Sequence, residues 1–203
     1  MVEIIVASAN DGKVREFREM FSSLPVRLSS LRDRWQPVPE IEETGSTFYE
    51  NAKIKADWVF ENSSGIWALA DDSGLVVDAL DGAPGVYSAR FAGENASSDD
   101  NNRKLLSLLS DIPGEQRKAR FVCTLVLKTA PDRYISSEGT CEGEITFQKS
   151  GTAGFGYDPI FQPQGMQVTF AEIDSEKKNQ ISHRGKALNS LVRELHGFFG
   201  SGS

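Results

Sequence analysis

The sequence predicts a mixed α/β fold, because strand-like and helix-like segments alternate in its first half and β-hairpins follow in its second. Short β-branched apolar runs indicate the strands, and apolar residues at helical spacing indicate the helices. At 203 residues the chain has the length of one domain with one sizeable core. We therefore expect a single two-lobed domain over residues 1–199 and a flexible tail over residues 200–203.

The first strand, loop and helix form an arrangement suited to binding phosphate. An apolar strand over residues 4–7 is followed by the small polar loop Ser8–Lys13 and then by a helix. Free N–H groups at a helix start can hold an anion, Asn10 or Asp11 can cap the helix, and Lys13 can reach the same anion. The alternative is a plain capped helix with an exposed lysine.

The next predicted helix carries two polar residues on one side. Residues 25–45 contain three prolines and predict a short strand and a loop, and a helix is expected from about Ser46 to Phe60. Asn51 and Lys55 are four positions apart and therefore lie side by side on it. They are either contacts to a ligand or an ordinary solvated pair.

Two adjacent carboxylates, Asp71 and Asp72, follow an apolar run and precede another. Both runs predict buried strands, so the stretch Ala70–Gly74 is expected to be the loop between them. The two charges repel each other unless a cation lies between them, and Mg²⁺ would resolve that conflict. The alternative is an acidic β-turn, because Asp, Ser and Gly all form turns.

The middle of the chain is predicted to be mainly structural. Residues 82–93 form a loop rich in glycine and proline, and Ser97–Asp100 has the spacing of a capping box at the start of a helix. Strands are expected at about 119–129 and 134–148, with glycines that suit antiparallel hairpins.

Two late segments have compositions suited to a nucleotide. Aromatics alternate with glycine in residues 154–161, so a ring there can stack on a nucleobase; a packed turn with core aromatics is the alternative. Residues 177–187 are the densest basic segment and lead into the last helix, where cations oppose the helix dipole unless an anion or acceptor-rich group is present. His183 taken alone is more often a structural residue.

Composition restricts the binding partners and the cellular location that we expect. A net charge of −7 argues against a general nucleic-acid-binding surface, so no nucleic-acid partner is expected. Cys123 and Cys141 lack metal-ligand spacing, and Cys123 lies in an apolar run that predicts a core thiol. Neither a signal-peptide pattern nor an apolar run of about 18 residues is present, so we expect a cytoplasmic protein without a membrane partner.

Six motifs, taken in order, span nearly the whole chain. They are Ser8–Lys13, Glu42–Gly45 with Phe48–Ala52 and Lys55–Ala56, Ala70–Leu75, Gly82–Arg90, Phe155–Pro159 and Ser182–Gly185. Together they resemble the inosine triphosphate pyrophosphatase family, also called the Ham1-like family. The resemblance implies an elongated two-lobed fold around a mixed twisted sheet, with the active cleft between the lobes, and a homodimer.

The resemblance also implies an activity and a set of site residues. The activity is Mg²⁺-dependent hydrolysis of ITP, dITP and XTP to the monophosphate and pyrophosphate. By position, Asp72 would be the catalytic base and a metal ligand, Glu42 the second metal ligand, and Asp71 a supporting carboxylate without an assigned role. The residues that would contact the substrate are Ser8, Ala9, Asn10, Asp11, Gly12, Lys13, Asn51, Lys55, Ser73, Phe155, Gly156, Tyr157, Asp158, Lys178, His183 and Arg184.

Elementary chemistry is compatible with these roles. Lysines and Mg²⁺ neutralise a triphosphate, and donors from His183 and Arg184 match the O6 and N7 acceptors of hypoxanthine and xanthine. Adenine presents an N6 donor instead, which leaves such donors unpaired. Two other classes remain open: a Maf-like pyrophosphatase acting on other modified nucleotides, and a nucleotide sensor without catalysis.

Overall fold

The computed structural model describes residues 1–200, which form a mixed α/β fold, as predicted. The strands are β1 (Val2–Val6), β2 (Val26–Ser30), β3 (Trp67–Val77), β4 (Lys118–Ala130), β5 (Arg133–Ile145) and β6 (Phe161–Pro163). The helices are α1 (Asp11–Met20), α2 (Leu31–Arg34), α3 (Phe48–Asn62), α4 (Ser98–Leu108), α5 (Ser175–Ile181) and α6 (His183–Gly200). Short 3₁₀ segments cover Asp78–Leu80, Gly85–Arg90, Gly114–Gln116, Asp158–Ile160 and Phe170–Glu172.

The strands form one mixed sheet in the order β2-β1-β3-β4-β5-β6. Strand β1 pairs in parallel with β2 on one side and with β3 on the other, whereas β6 pairs antiparallel with β5. The parallel pairs need crossovers, and α1 lies in the chain between β1 and β2 while α3 precedes β3. Among residues 1–200, no helix has both the length and the apolar composition needed to cross a bilayer.

Two compact units divide the chain. Unit 1 comprises residues 1–72 and 124–138 and the chain from Ala187 onward; unit 2 comprises residues 73–123 and 139–186. Each has its own buried core. Cys123 is fully buried, which confirms the predicted core thiol. Helix α6 includes Gly200, and the rest of the predicted tail, residues 201–203, lies outside the described part of the chain.

One local prediction is wrong: Asp71 and Asp72 do not lie in a loop. Strand β3 runs without interruption from Trp67 to Val77, so the pair lies inside it. Turn-forming residues adopt the extended conformation here because β3 is an inner strand, held by β1 and β4 on its two sides. Successive side chains of a strand point to opposite faces, so the two adjacent carboxylates have different surroundings.

Capping side chains fix the starts of the helices that carry candidate site residues. The Asn10 side chain accepts a hydrogen bond from the Lys13 backbone N–H at the start of α1. Helix α3 begins at Phe48, two residues later than predicted, because Thr47 and Glu50 form a reciprocal capping box. The predicted capping box at Ser97–Asp100 is confirmed at the start of α4.

Candidate active site

The segment Ser8–Lys13, which was predicted to bind phosphate, lies at the start of α1 in unit 1. The Asn10 N–H donates to Ser8 Oγ at 3.1 Å, so the loop is folded back on itself just before the helix. A Cβ on Gly12 would lie 3.2 Å from Asn10 Oδ1, a close approach that favours glycine. The N-terminus of α1 and the Lys13 side chain thus belong to the same short segment, which is compatible with the predicted anion site.

Asp71 binds the lysine of this loop. Lys13 Nζ lies 2.8 Å from Asp71 Oδ2, and the Asp71 side chain is only 2 % exposed. An ion pair with a buried partner holds the lysine in one position. The contact gives Asp71 the role that the sequence left unassigned: it positions the Lys13 ammonium at the loop.

Asp72, the predicted base, is held by an asparagine from α3. Asn51 Nδ2 donates to Asp72 Oδ2 at 3.1 Å, and Asn51 Oδ1 accepts the Gly45 N–H at 2.8 Å. A Cβ on Gly45 would lie 2.7 Å from Asn51 Oδ1, so only glycine permits this approach. Asn51 thus orients the carboxylate, and its predicted contact with phosphate stays a prediction.

The Lys55 ammonium lies close to two carboxylates of unit 1. Its Nζ lies 2.5 Å from Glu43 Oε1 and 3.9 Å from Asp72 Oδ1. Burial alone would lower the pKa of Lys55, but Asp71, Asp72 and Glu43 outweigh it and raise that pKa. The lysine therefore stays charged.

The pKa of Asp72 is raised from 3.8 to about 6. Burial is the main cause, the negative charges of Glu43 and Asp71 add to it, and Lys55 and the hydrogen bond from Asn51 oppose it. A carboxylate with such a pKa is ionised at neutral pH and yet basic enough to accept a proton from a reacting water.

A cavity of about 360 Å³ opens at this cluster, within the size range of small-molecule sites. Residues of the Ser8–Lys13 segment line it together with the ion pairs Lys13–Asp71 and Lys55–Glu43. Its polar lining residues are Ser8, Asn10, Lys13, Glu43, Lys55 and Asp71.

The donor set fits a metal that is shared with a substrate. Among the described residues, no group of three His, Cys, Asp or Glu side chains could hold a metal ion by itself. Magnesium commonly takes one or two carboxylates and completes its shell with waters and substrate phosphates. Asp72 and Glu43 both border the Lys55 ammonium, whereas Glu42 is exposed. The metal role of Glu42 stays a prediction, and the geometry adds Glu43 as a second candidate.

The loop of residues 154–161, which was predicted to stack on a nucleobase, lies in unit 2 and is held by internal hydrogen bonds. Asp158 Oδ2 accepts the Phe155 N–H at 2.7 Å and also binds Lys178 Nζ at 2.5 Å. A Cβ on Gly154, whose φ is +77°, would lie 2.1 Å from that carboxylate oxygen, so the turn requires glycine. Asp158 therefore acts as the central anchor of the loop.

The two aromatics of this loop have opposite environments. Phe155 is 60 % exposed, with Lys178 Nζ 4.7 Å and the Arg184 guanidinium carbon 5.8 Å from its ring centroid. Tyr157 is buried and donates its hydroxyl to the Ser88 carbonyl at 2.9 Å, and burial raises its pKa. Phe155 is thus available to stack on a ligand, whereas Tyr157 belongs to the packed turn.

His183 and Arg184 begin α6 and are both buried. The His183 ring stacks on Phe121, with centroids 4.8 Å apart and 12° between the planes. A Cβ on Gly185 would lie 1.7 Å from the Asn179 carbonyl oxygen, so glycine is required where α5 meets α6. These contacts fix the basic residues in unit 2. Ser73, also predicted to contact substrate, is half-buried in β3.

The structure adds three residues that sequence reasoning did not assign a role. They are Glu43 beside Lys55, Asp71 beside Lys13, and Asn102, which contacts the Phe155 loop. Glu43 and Asp71 were recognisable as neighbours of assigned carboxylates, but no sequence signal distinguished Asn102 from the other polar residues of α4.

Comparison with known proteins gives a consistent result. The Ham1 family model matches residues 4–194. A dITP/XTP pyrophosphatase of Oceanobacillus iheyensis is 47% identical over 196 residues, covering 97% of this chain and 99% of the relative. One from Geobacter sulfurreducens is 50% identical, covering 96% of this chain and 97% of the relative. A Ham1 protein structure from Coxiella burnetii has a TM-score of 0.90 at 43% identity and covers 97% of this chain and all of that one (100%).

Proposed function

The chain belongs to the Ham1 family, and we propose that it hydrolyses non-standard purine nucleoside triphosphates to the monophosphate and pyrophosphate. Relatives named dITP/XTP pyrophosphatase, which match over nearly the whole chain, support the substrate class. The observation that carries the proposal is the buried Asp72 carboxylate, oriented by Asn51 and adjoined by Lys55.

Asp72 supplies the base for attack by water. A water oxygen forms a bond to the α-phosphorus while the bond from that phosphorus to the α–β bridging oxygen breaks. The proton of the water passes to Asp72, and pyrophosphate leaves with the electron pair of the broken bond. In the metal-free protein, burial raises the pKa of Asp72 to about 6, which makes it a stronger base than an exposed aspartate.

The two lysines of unit 1 neutralise the triphosphate. Asp71 holds Lys13 at the start of α1, and Glu43 holds Lys55 beside Asp72. Because each ammonium is placed before substrate arrives, little reorganisation is needed as charge develops on the departing pyrophosphate. Asp72 and Glu42 or Glu43 would hold magnesium, which would supply further charge neutralisation.

Unit 2 supplies the groups for the purine base. The exposed ring of Phe155 offers a stacking surface, and the N–H groups of His183 and Arg184 are donors suited to O6 and N7 of hypoxanthine or xanthine. Adenine would leave buried donors unpaired, which a buried site penalises strongly. The predicted homodimer, the cleft between lobes and the cytoplasmic location stay predictions.

The proposed function is tested by product analysis over a panel of purine and pyrimidine triphosphates, with Mg²⁺ and then with EDTA. We expect ITP, dITP and XTP to give the monophosphate and pyrophosphate, and EDTA to abolish turnover. Preference for modified pyrimidine nucleotides would favour a Maf-like activity. Tight binding of ITP without production of IMP would indicate a sensor.

A further inference from the structure

A buried asparagine of α4 contacts the loop that carries Phe155. Asn102 is 1 % exposed, and its Nδ2 donates to the Gly156 carbonyl at 3.0 Å. Only the amide nitrogen can donate to a carbonyl, so this contact fixes the orientation of the amide. Within the described residues, Oδ1 of the same side chain is buried and has no hydrogen-bond partner.

Burying an asparagine side chain at position 102 lowers the stability of the fold. The next turn of α4 and its C-cap place Leu105 and Leu109 in the apolar core of unit 2, where both are fully buried. A leucine in place of Asn102 would have as many side-chain heavy atoms and no buried, unpaired oxygen, but it could not donate to the Gly156 carbonyl. The asparagine is therefore explained by its one hydrogen bond, which holds the Gly156 carbonyl.

That bond holds a glycine, which has no side chain of its own to pack against the protein. Gly156 has a φ of +62°, and no atom lies within 4 Å of the position that a Cβ would occupy. Its two neighbours are held elsewhere: the Phe155 N–H binds Asp158, and the Tyr157 hydroxyl binds Ser88. The peptide between Gly156 and Tyr157 is held at its carbonyl by Asn102.

We infer that Asn102 is a positioning residue, which fixes the Gly156 carbonyl and thereby the Phe155 ring as a preformed stacking surface for a purine base. The inference rests on the proposed function, because it takes the nucleotide base to bind at Phe155. A preformed surface binds more tightly than one that must be ordered by the ligand. Asn102 thus acts on the affinity for nucleotide and leaves the chemical step unchanged.

The test compares Asn102→Leu and Asn102→Ala with the wild-type protein, using ITP as the probe and pyrophosphate release as the assay. Both variants lose the donor, so we expect KM for ITP to rise about tenfold in each, with kcat within about twofold. Their stabilities should differ, because leucine fills the site that alanine leaves as a cavity, so Asn102→Ala should unfold at the lower temperature. A purely structural role would make KM follow stability.

Leu109→Ala is the matched control, because it removes a buried side chain from the same core and keeps the Asn102 donor to the Gly156 carbonyl. It should lower the unfolding temperature and leave KM unchanged. If wild-type protein releases no pyrophosphate from ITP, the proposed function fails and the inference fails with it. If wild-type protein is active and KM of Asn102→Leu stays within twofold, the inference alone is overturned.

Discussion

The charged cluster of unit 1 and the aromatic loop of unit 2 are prepared for ligand in different ways. In unit 1 each functional side chain already has a protein partner: Lys13 with Asp71, Lys55 with Glu43, and Asp72 with Asn51. In unit 2 the loop backbone is anchored, yet the ring of Phe155 remains largely exposed. On the proposed function, unit 1 is organised for chemistry and unit 2 for recognition of the base.

This contrast predicts that substitutions in unit 1 lower kcat and that substitutions in unit 2 raise KM. Asp72→Asn should produce the largest effect, a loss of about 10³-fold in kcat, because the variant keeps the shape of the side chain and loses the base. Steady-state kinetics with ITP measures it, with circular dichroism to establish that the variant folds. Activity within tenfold of wild type would remove Asp72 from the role of base.

The same variant should be more stable than the wild type when metal is absent. The pKa of Asp72 is raised from 3.8 to about 6, so the folded protein binds more protons than the unfolded chain between these pH values. The free energy of unfolding therefore falls as pH rises through this window, by about 3 kcal/mol in total. The neutral amide that replaces the Asp72 carboxylate in the variant does not titrate and would carry no such penalty.

Denaturant unfolding in EDTA at pH 4 and pH 8 tests this prediction. The advantage of Asp72→Asn over the wild type should be near zero at pH 4 and greatest at pH 8. An equal difference at both pH values would show that charge burial at Asp72 does not limit stability.

Arg184→Ala should raise KM for ITP by roughly 30-fold, the expected loss for one charge-assisted hydrogen bond to the base. Its kcat should change little, because no group of the unit 1 cluster is altered. Arg184→Lys serves as a control that keeps the charge and loses the planar donor arrangement. A fall in kcat at unchanged KM would place Arg184 in the chemical step instead.

Phe155→Leu should have the smallest of these effects, a rise in KM of about tenfold from the loss of base stacking. Phe147→Leu is the matched control, since Phe147 is 68 % exposed in the same unit and its ring contacts Arg117. Equal KM values for the two variants would show that Phe155 does not stack on the base.

The sequence predicted features that depend on local pattern, and missed those that depend on distant contacts. Helical spacing and caps were sufficient to place α1 and α4. The continuity of β3 was not predictable, because pairing on both sides of the strand overrides the turn preference of Asp, Ser and Gly.

The contacts between site residues could not be predicted from local sequence patterns either. Lys13 and Asp71 are 58 positions apart, and Asn102 and Gly156 are 54 apart. The motifs predicted a set of candidate site residues, but only the tertiary contacts show that Asn51 and Asp71 orient other side chains.

The ratio of kcat/KM for ITP to that for ATP, measured by pyrophosphate release under one set of conditions, tests the central claim most directly. If unit 2 selects the base through buried donors, the ratio should be at least about 100, because adenine leaves one or more of them unpaired. Comparable values for the two nucleotides would contradict the account.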